Sequence, residues 1–177
     1  MTQPQAPAAP AGEVRIEGDH ASLYFDRFLP HPPEAVWAAL TEPAQLAQWS
    51  MNQATIEGRE GGSIDFVTAP ANFHWTGRIL AWEPNRVFEH EMTMGPRHDL
   101  PFDMPGEQAV VRWELSPEGS GTRLRLSFRN LRRMTALGFA PGQHVLLDRL
   151  AAQLANEPLP NFMQGQETVR GLYPSWR

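Results

Sequence analysis

The side chains in this sequence that could carry acid–base or metal chemistry are its histidines and two nearby glutamates. The histidines are His20, His31, His74, His90, His98 and His144. They form neither the HExxH motif nor another metal-ligand spacing, so we predict no metal site. Glu89 and Glu91 are separated by one residue, so in a strand both carboxylates face the same side of the sheet. Because the aromatic ring of Phe88 belongs on the apolar side, we expect these carboxylates to face outward.

Two amino-acid types that commonly carry covalent chemistry are absent from the sequence, which contains no cysteine and no lysine. Their absence excludes disulfides, thiol catalysis, cysteine-bound metals, and the lysine chemistry of Schiff bases and P-loops. The GxSxG and GxGxxG motifs are absent as well. We therefore predict no catalytic residues and no cofactor.

Length and charge narrow the function classes further. A chain of 177 residues fits one domain. A net charge of −5 lacks the basic excess that nucleic-acid binding usually requires. No apolar run reaches the ~18 residues of a membrane span. The lack of cysteine fits a reducing compartment, so we expect a cytoplasmic protein.

Hydrophobic periodicity predicts a strand, two short helices, six further strands and one long helix. The first strand spans 22–28, and prolines begin helices near 33–40 and 43–49. The remaining strands are predicted at 53–57, 63–68, 73–82, 87–94, 108–116 and 122–129. The last helix is predicted at 142–155, where Leu147, Leu150 and Leu154 recur at helical spacing.

Both ends of the chain differ in composition from the middle. Residues 1–20 begin with a Pro/Ala/Gln-rich stretch and are predicted to form a disordered tail. Residues 21–156 form the predicted domain. The C-terminal extension, 157–177, contains prolines and scattered aromatic residues. It is either disordered or an extended arm that packs on the domain or on a second copy, and the second alternative allows a homodimer.

This order of elements predicts an α+β fold in which a curved antiparallel sheet wraps around the long C-terminal helix. A twisted sheet around one helix leaves space between them, and aromatic residues lie in the elements that border it. We predict that this space is a mostly apolar ligand cavity of ~300–1,000 Å³. Its predicted lining residues are Trp49, Phe66, Trp75, Phe88, Trp113, Phe128, His144 and Leu147. The alternative is that the aromatic residues fill a solid core.

Several short motifs resemble one known family. They are the opening Phe25–Phe28 with Pro32–Thr41 and Leu46–Trp49, then Gly61-Gly62, Gly77–Ile79, Pro84–Arg86, Gly121–Leu124, Gly142 and Leu147–Leu150. Together they resemble the SRPBCC (START-like) superfamily, in the branch named after the activator of the 90-kDa heat-shock protein ATPase. The resemblance covers about residues 21–156 and implies the helix-grip fold with a cavity for a hydrophobic small molecule.

Two features depart from the family pattern. Relatives carry Gly-Trp at the start of the long helix, whereas here Gly142 is followed by Gln143 and His144. Because that helix start lies near the pocket in this fold, His144 is the histidine we expect closest to a ligand. A long proline-containing segment, 95–106, falls at a hairpin and forms either a lid over the pocket or an ordinary surface loop.

The resemblance leaves three function classes open. A carrier or sensor of a lipid-like or polyketide-like molecule, without catalysis, is the function we predict. The first alternative is a cyclase- or dehydratase-type enzyme using polar groups from His144, Glu89, Asp65 or Arg78. The second alternative is a co-chaperone-like module whose partner is a heat-shock protein.

Overall fold

The computed structural model describes residues 8–69, 72–100 and 104–175, and an eight-stranded antiparallel sheet dominates it. The strands are β1 (Glu13–Glu17), β2 (His20–Leu29), β3 (Asn52–Ile56), β4 (Ser63–Thr68), β5 (Phe73–Glu83), β6 (Val87–Met94), β7 (Glu107–Glu118) and β8 (Gly121–Arg132). The helices are α1 (Pro33–Thr41), α2 (Pro43–Ser50), α3 (Arg133–Leu154) and α4 (Phe162–Val169), followed by a 3₁₀ turn at Arg170–Leu172. The strand order is β1-β2-β8-β7-β6-β5-β4-β3. The predicted α+β helix-grip fold is confirmed.

Alternation along the two longest strands creates the inner face of the sheet. Trp113 on β7 lies opposite Leu126 on β8, and Val111 lies opposite Phe128. All four side chains are buried, whereas the residues between them are more exposed. The helices therefore pack on an apolar surface formed by alternate residues.

Helix α3 starts at Arg133 rather than at the predicted residue 142, and Pro141 lies inside it. Proline cannot donate a backbone hydrogen bond and is disfavoured inside a helix. Ala136 and Ala140 in this first part are fully buried. Packing against the sheet thus outweighs the weak helix signal of the local sequence.

A buried carboxylate holds the N-terminal end of α3. Glu107 on β7 is 2% exposed and accepts a hydrogen bond of 3.0 Å from the backbone N–H of Arg132. It also accepts one from the hydroxyl of Thr135. A negative group at this end satisfies free backbone donors and complements the helix dipole.

The two ends of the chain are more structured than the sequence predicted. Residues 13–17 of the predicted tail form β1, which pairs with β2 from Glu13 opposite Tyr24 to Glu17 opposite His20. Strand pairing gives these residues hydrogen bonds that their composition alone does not suggest. The C-terminal extension contains α4 and is not an extended arm. Residues 1–7, 176 and 177 lie outside the described residues, and the division into three regions stays a prediction.

Helix α4 packs on α3 where both helices carry glycine. A Cβ atom built on Gly142 would lie 2.9 Å from the side-chain nitrogen of Gln166. One built on Gly165 would lie 2.8 Å from Cγ1 of Val145. The two helices therefore approach closely because neither position carries a side chain.

Gly165→Val is expected to displace α4 from α3 and to destabilise the fold by about 1–3 kcal/mol, the usual cost of overpacking. Val145 cannot turn aside easily, because a β-branched residue in a helix has essentially one rotamer. Urea unfolding measures the cost, and limited proteolysis of residues 157–175 reports the displacement. Gly171→Val is the matched control, since nothing lies within 4 Å of its Cβ position. Equal proteolysis rates in the two variants would contradict the expectation.

Candidate functional site

A buried histidine enclosed by aromatic rings lies on the inner face of β4, β5 and β6. His90 is 1% exposed. The ring centres of Phe88, Trp75 and Phe66 lie 4.9, 5.6 and 6.1 Å from the centre of its imidazole. Phe66 and Trp75 also stack on each other at 4.3 Å. These rings form an apolar surface that contains one polar ring. We call Phe66, Trp75 and Phe88, with His90 between them, the aromatic wall.

The tautomer and charge of His90 follow from its surroundings. Its Nδ1 lies 2.9 Å from the backbone carbonyl oxygen of Glu91. Because that oxygen can only accept, Nδ1 carries the proton and donates a hydrogen bond to it. Burial lowers the pKa of His90 to about 4. The ring is therefore neutral at pH 7, and Nε2 is a hydrogen-bond acceptor within the aromatic wall.

The described parts of segment 95–106, residues 95–100 and 104–106, lie beside Phe73 at the start of β5. The backbones of Arg97 and Met104 pair across the segment, and Met104 is completely buried. The guanidinium of Arg97 lies 4.8 Å above the ring of Phe73, which in turn contacts the ring of Phe139 on α3 at 5.9 Å. A pocket of about 230 Å³ lies beside the segment. Its lining residues are Asn72, Phe73, His74, Met94, Gly95, Pro96, Arg97 and Met104.

A second buried polar cluster lies between β2, α3 and the two chain ends. His144 is 2% exposed, and its Nδ1 lies 2.8 Å from the hydroxyl of Tyr173. The backbone N–H of Gly12 donates to the same hydroxyl at 2.8 Å. Arg27 donates from Nη1 to the carbonyl oxygen of Pro10 at 2.5 Å. Segment 8–12 and Tyr173 thus cover Arg27 and His144. We call segment 8–12 together with Tyr173 the terminal clasp.

Burial shifts the titration of every ionisable member of this cluster. Burial and, to a smaller extent, the positive charge of Arg27 together lower the pKa of His144 to about 4. Burial raises the pKa of the Asp148 carboxyl, which lies 3.6 Å from Nε2 of His144. It also raises the pKa of the Tyr173 phenol and lowers that of Arg27. At pH 7 the cluster therefore holds a neutral histidine beside a buried guanidinium.

The eight side chains predicted to line a cavity are distributed over three places. Phe66, Trp75 and Phe88 surround His90. Trp49 contacts Trp113 edge to face at 6.2 Å. Phe128 and Leu147 belong to the same continuous core, whereas His144 belongs to the second cluster. Whether any of them contacts a ligand stays a prediction.

Neither of the two main pockets formed by the described residues is lined by these eight side chains. One is the 230 Å³ pocket beside segment 95–106. The other, of about 450 Å³, lies against the sheet near the N-terminal segment. Its lining residues are Pro10, Ala11, Glu13, Tyr24, Phe25, Asp26, Arg112, Glu114, Arg125, Leu126 and Ser127. Phe66, Phe88 and two buried leucines of α3, Leu147 and Leu150, belong to one hydrophobic cluster.

The polar groups named for the enzyme alternative do not come together. Glu89 binds Arg112 and Arg129 at 3.1 and 2.7 Å, away from the buried aromatic side chains. Asp65 contacts exposed His74, and Arg78 contacts Glu91. The carboxylates of Glu89 and Glu91 thus lie on the more exposed side of β6, as predicted. Within residues 8–69, 72–100 and 104–175, no three acidic or histidine side chains form a group that could hold a metal ion.

No role in a site was predicted from the sequence for three residues of these clusters, Arg27, His90 and Tyr173. The sequence does hold a signal for the burial of Arg27. In β2 it occupies every second position together with Phe25 and Leu29, so all three lie on the buried side of the strand. His90 likewise lies two residues after buried Phe88, on the same face of β6. No local pattern marks Tyr173, which is far from its partners in the sequence.

Comparisons with known proteins agree on one family and one fold. A family model described as "Activator of Hsp90 ATPase homolog 1-like protein" matches residues 30–155. No curated protein matches the chain. The solved structure of MLL2253 from Mesorhizobium loti is 27% identical over 76% of this chain and 96% of its own, with a TM-score of 0.65. That of BPP1335 from Bordetella parapertussis is 27% identical over 98% and 94%, with a TM-score of 0.66. CalU16 from Micromonospora echinospora, 22% identical over 92% and 93% at a TM-score of 0.68, shares the fold.

Proposed function

Because this chain belongs to the family of activator of Hsp90 ATPase homolog 1-like proteins, we propose that it binds a small hydrophobic molecule at the inner face of its sheet. The observation that carries the proposal is the aromatic wall around His90. Three rings on the inner face offer an apolar surface, and Nε2 of His90 offers one acceptor to fix the orientation of a ligand. Small-molecule sites commonly combine such apolar walls with a few polar groups. The protein acts as a carrier or sensor.

Entry of the ligand takes place beside segment 95–106. Phe73 and Phe139 are only half-buried there, and they contact each other between β5 and α3. Rotation of one ring opens a path from the 230 Å³ pocket toward Trp75. Side-chain motion of this kind is fast compared with the unfolding of a helix or strand. The described residues of the segment, 95–100 and 104–106, thus act as a lid in this proposal.

We expect saturable binding of apolar molecules to the purified protein. Dodecanol, farnesol and naphthol are suitable probes, and tryptophan fluorescence reports their binding because Trp75 lies in the wall. Native mass spectrometry of the protein as purified searches for a bound molecule directly. If no probe binds saturably and no copurified molecule is found, the proposal is wrong.

Two tryptophans on β5 provide a matched pair of variants. Trp75→Leu removes a ring of the wall and is expected to weaken dodecanol binding about fivefold to tenfold, the equivalent of one aromatic contact. Trp82 is not one of the rings of the wall, and it packs on Trp37 and on the outermost wall ring, Phe88, at 5.0 and 5.2 Å. Trp82→Leu is therefore expected to lower stability while it changes the dissociation constant less than twofold. Equal losses of affinity in both variants would place the ligand elsewhere.

A further inference from the structure

We propose that the ligand carries a carboxylate and that Arg27 binds this group through its Nε and Nη2 atoms. This inference rests on the proposed function and names the ligand class, a carboxylic acid with an apolar body. Arg27 lies outside the residues that the family model matches, 30–155.

Arg27 is a buried cation that is only partly satisfied. It is 6% exposed, and only Nη1 has hydrogen-bond partners, the carbonyl oxygens of Pro10 at 2.5 Å and Asp26 at 3.3 Å. Nε and Nη2 are buried without a partner. A buried charge with free donors is costly to a fold, and a negative partner offsets that cost.

The two free atoms form the edge of a guanidinium that matches a carboxylate. Nε–H and one Nη–H point in the same direction and can donate to both carboxylate oxygens at once. Three arginines of this protein use the same two atoms in that way. Nε and Nη2 of Arg15 lie 2.7 and 3.0 Å from the carboxylate oxygens of Glu13. The same two atoms of Arg97 lie 2.7 and 2.5 Å from those of Asp99. Those of Arg123 lie 2.7 and 2.7 Å from the oxygens of Glu118.

The protein's own acidic groups do not fill this edge. The charge of Asp148 on α3 acts on Arg27 from a distance, whereas the close contact of its carboxylate is with Nε2 of His144. Asp26 contributes only its backbone carbonyl to Arg27, because its carboxylate binds Arg123 and Arg125. Within the described residues, Arg27 therefore forms no ion pair.

Arg27 lies on the same buried face of the sheet as the aromatic wall, but its own strand partner is Leu124 on β8. It shares the buried side of β2 with Leu23 and Phe25. From Leu23, paired residues continue through Phe128 and Val111 to His90. In this proposal a carboxylate on Arg27 places the apolar body of the ligand on the face of the sheet that also carries this row.

The terminal clasp explains how a carboxylate reaches a buried residue. Segment 8–12 covers Arg27 and lies outside any helix or strand. Its links to the cluster are the bonds of Pro10 to Arg27 and of Gly12 to Tyr173. The segment can thus move away while β1 stays paired with β2.

The test compares dodecanoate with dodecanol at pH 7.5, below the critical micelle concentration of dodecanoate. We expect the wild-type protein to bind dodecanoate about 10- to 100-fold more tightly, the range for a paired hydrogen bond to a charged group. Arg27→Met is expected to remove this preference, because it weakens dodecanoate binding much more than dodecanol binding. It is also expected to unfold at the same or a higher urea concentration, because it removes an unpaired buried charge. A purely structural arginine would instead destabilise the protein on replacement.

Two further variants complete the design. Arg125→Met removes an exposed arginine on the adjacent strand and is expected to keep the preference for dodecanoate. Arg27→Lys keeps the charge without the paired N–H edge and is expected to lose most of the preference. If Arg27→Met does not fold, the preference of Arg27→Lys for dodecanoate tests the inference in its place.

The outcomes separate this inference from the proposed function. If both probes bind equally well, or if the Arg27 variants keep the preference, the inference is wrong and the proposed function stands. If neither probe binds, both are wrong. A preference that is present in the wild type and lost on replacement of Arg27 supports the inference.

Discussion

Phe88→Ala is expected to lower the free energy of unfolding by about 3–5 kcal/mol, the range for large-to-small replacements of buried aromatic residues. Phe88 is 2% exposed, and its ring contacts those of Trp37, Trp82 and His90 at 6.4, 5.2 and 4.9 Å. Three elements, α1, β5 and β6, meet at this ring. Alanine leaves a cavity that the surrounding rings can fill only partly. Urea unfolding followed by far-UV circular dichroism measures the loss.

Phe28→Ala is the control for this prediction. Phe28 lies on the opposite side of the sheet, is 46% exposed and contacts the guanidinium of Arg123 at 5.6 Å. Its replacement is expected to cost less than about 1 kcal/mol, as is usual for exposed positions. A loss below 1 kcal/mol for Phe88→Ala would show that its surroundings are loosely packed.

Acidification is expected to destabilise the fold strongly between pH 6.5 and pH 4. His90 and His144 are buried as neutral rings, and their pKa values are lowered from 6.5 to about 4. The unfolded chain therefore binds protons that the folded chain excludes. Stability is complete above the unfolded pKa and falls as the pH drops toward 4. A shift of this size corresponds to about 3 kcal/mol for each histidine.

Three histidine variants isolate these contributions. His90→Gln and His144→Gln each remove one titrating ring, so each is expected to flatten the plot of unfolding free energy against pH. His20→Gln, at an exposed position on β2, controls for the loss of a surface histidine. The raised pKa of Asp148 acts in the opposite direction, because a proton on its carboxyl favours the folded state at low pH. A plot for His90→Gln that is as steep as that of the wild type would contradict the prediction.

The strands were the most predictable part of the fold. The bounds of β4 and β6 were predicted to the residue, because turn residues flank both segments. Helix α3 was predicted too short, since Gly138, Pro141 and Gly142 all disfavour helix and only tertiary packing offsets them. Strand β1 was missed because its stability comes from pairing with β2 and not from its own composition.

The candidate site was only partly predictable. Alternation placed Phe66, Trp75 and Phe88 on one face, and the structure brings them together around His90. The second cluster could not be predicted, because it depends on how the two chain ends meet. His144 was expected near a ligand, but its partner Tyr173 comes from an extension whose conformation the sequence left open.

The terminal clasp has a consequence for the order of folding. The bond between Gly12 and Tyr173 joins residues 161 positions apart, whereas β7 and β8 are neighbours in the chain. Because closing a long loop costs more conformational entropy than closing a hairpin, we expect the clasp to form after the central strands have paired. Contacts that form after the transition state slow unfolding and leave the folding rate nearly unchanged. The two chain ends therefore prolong the lifetime of the folded state without guiding the chain toward it.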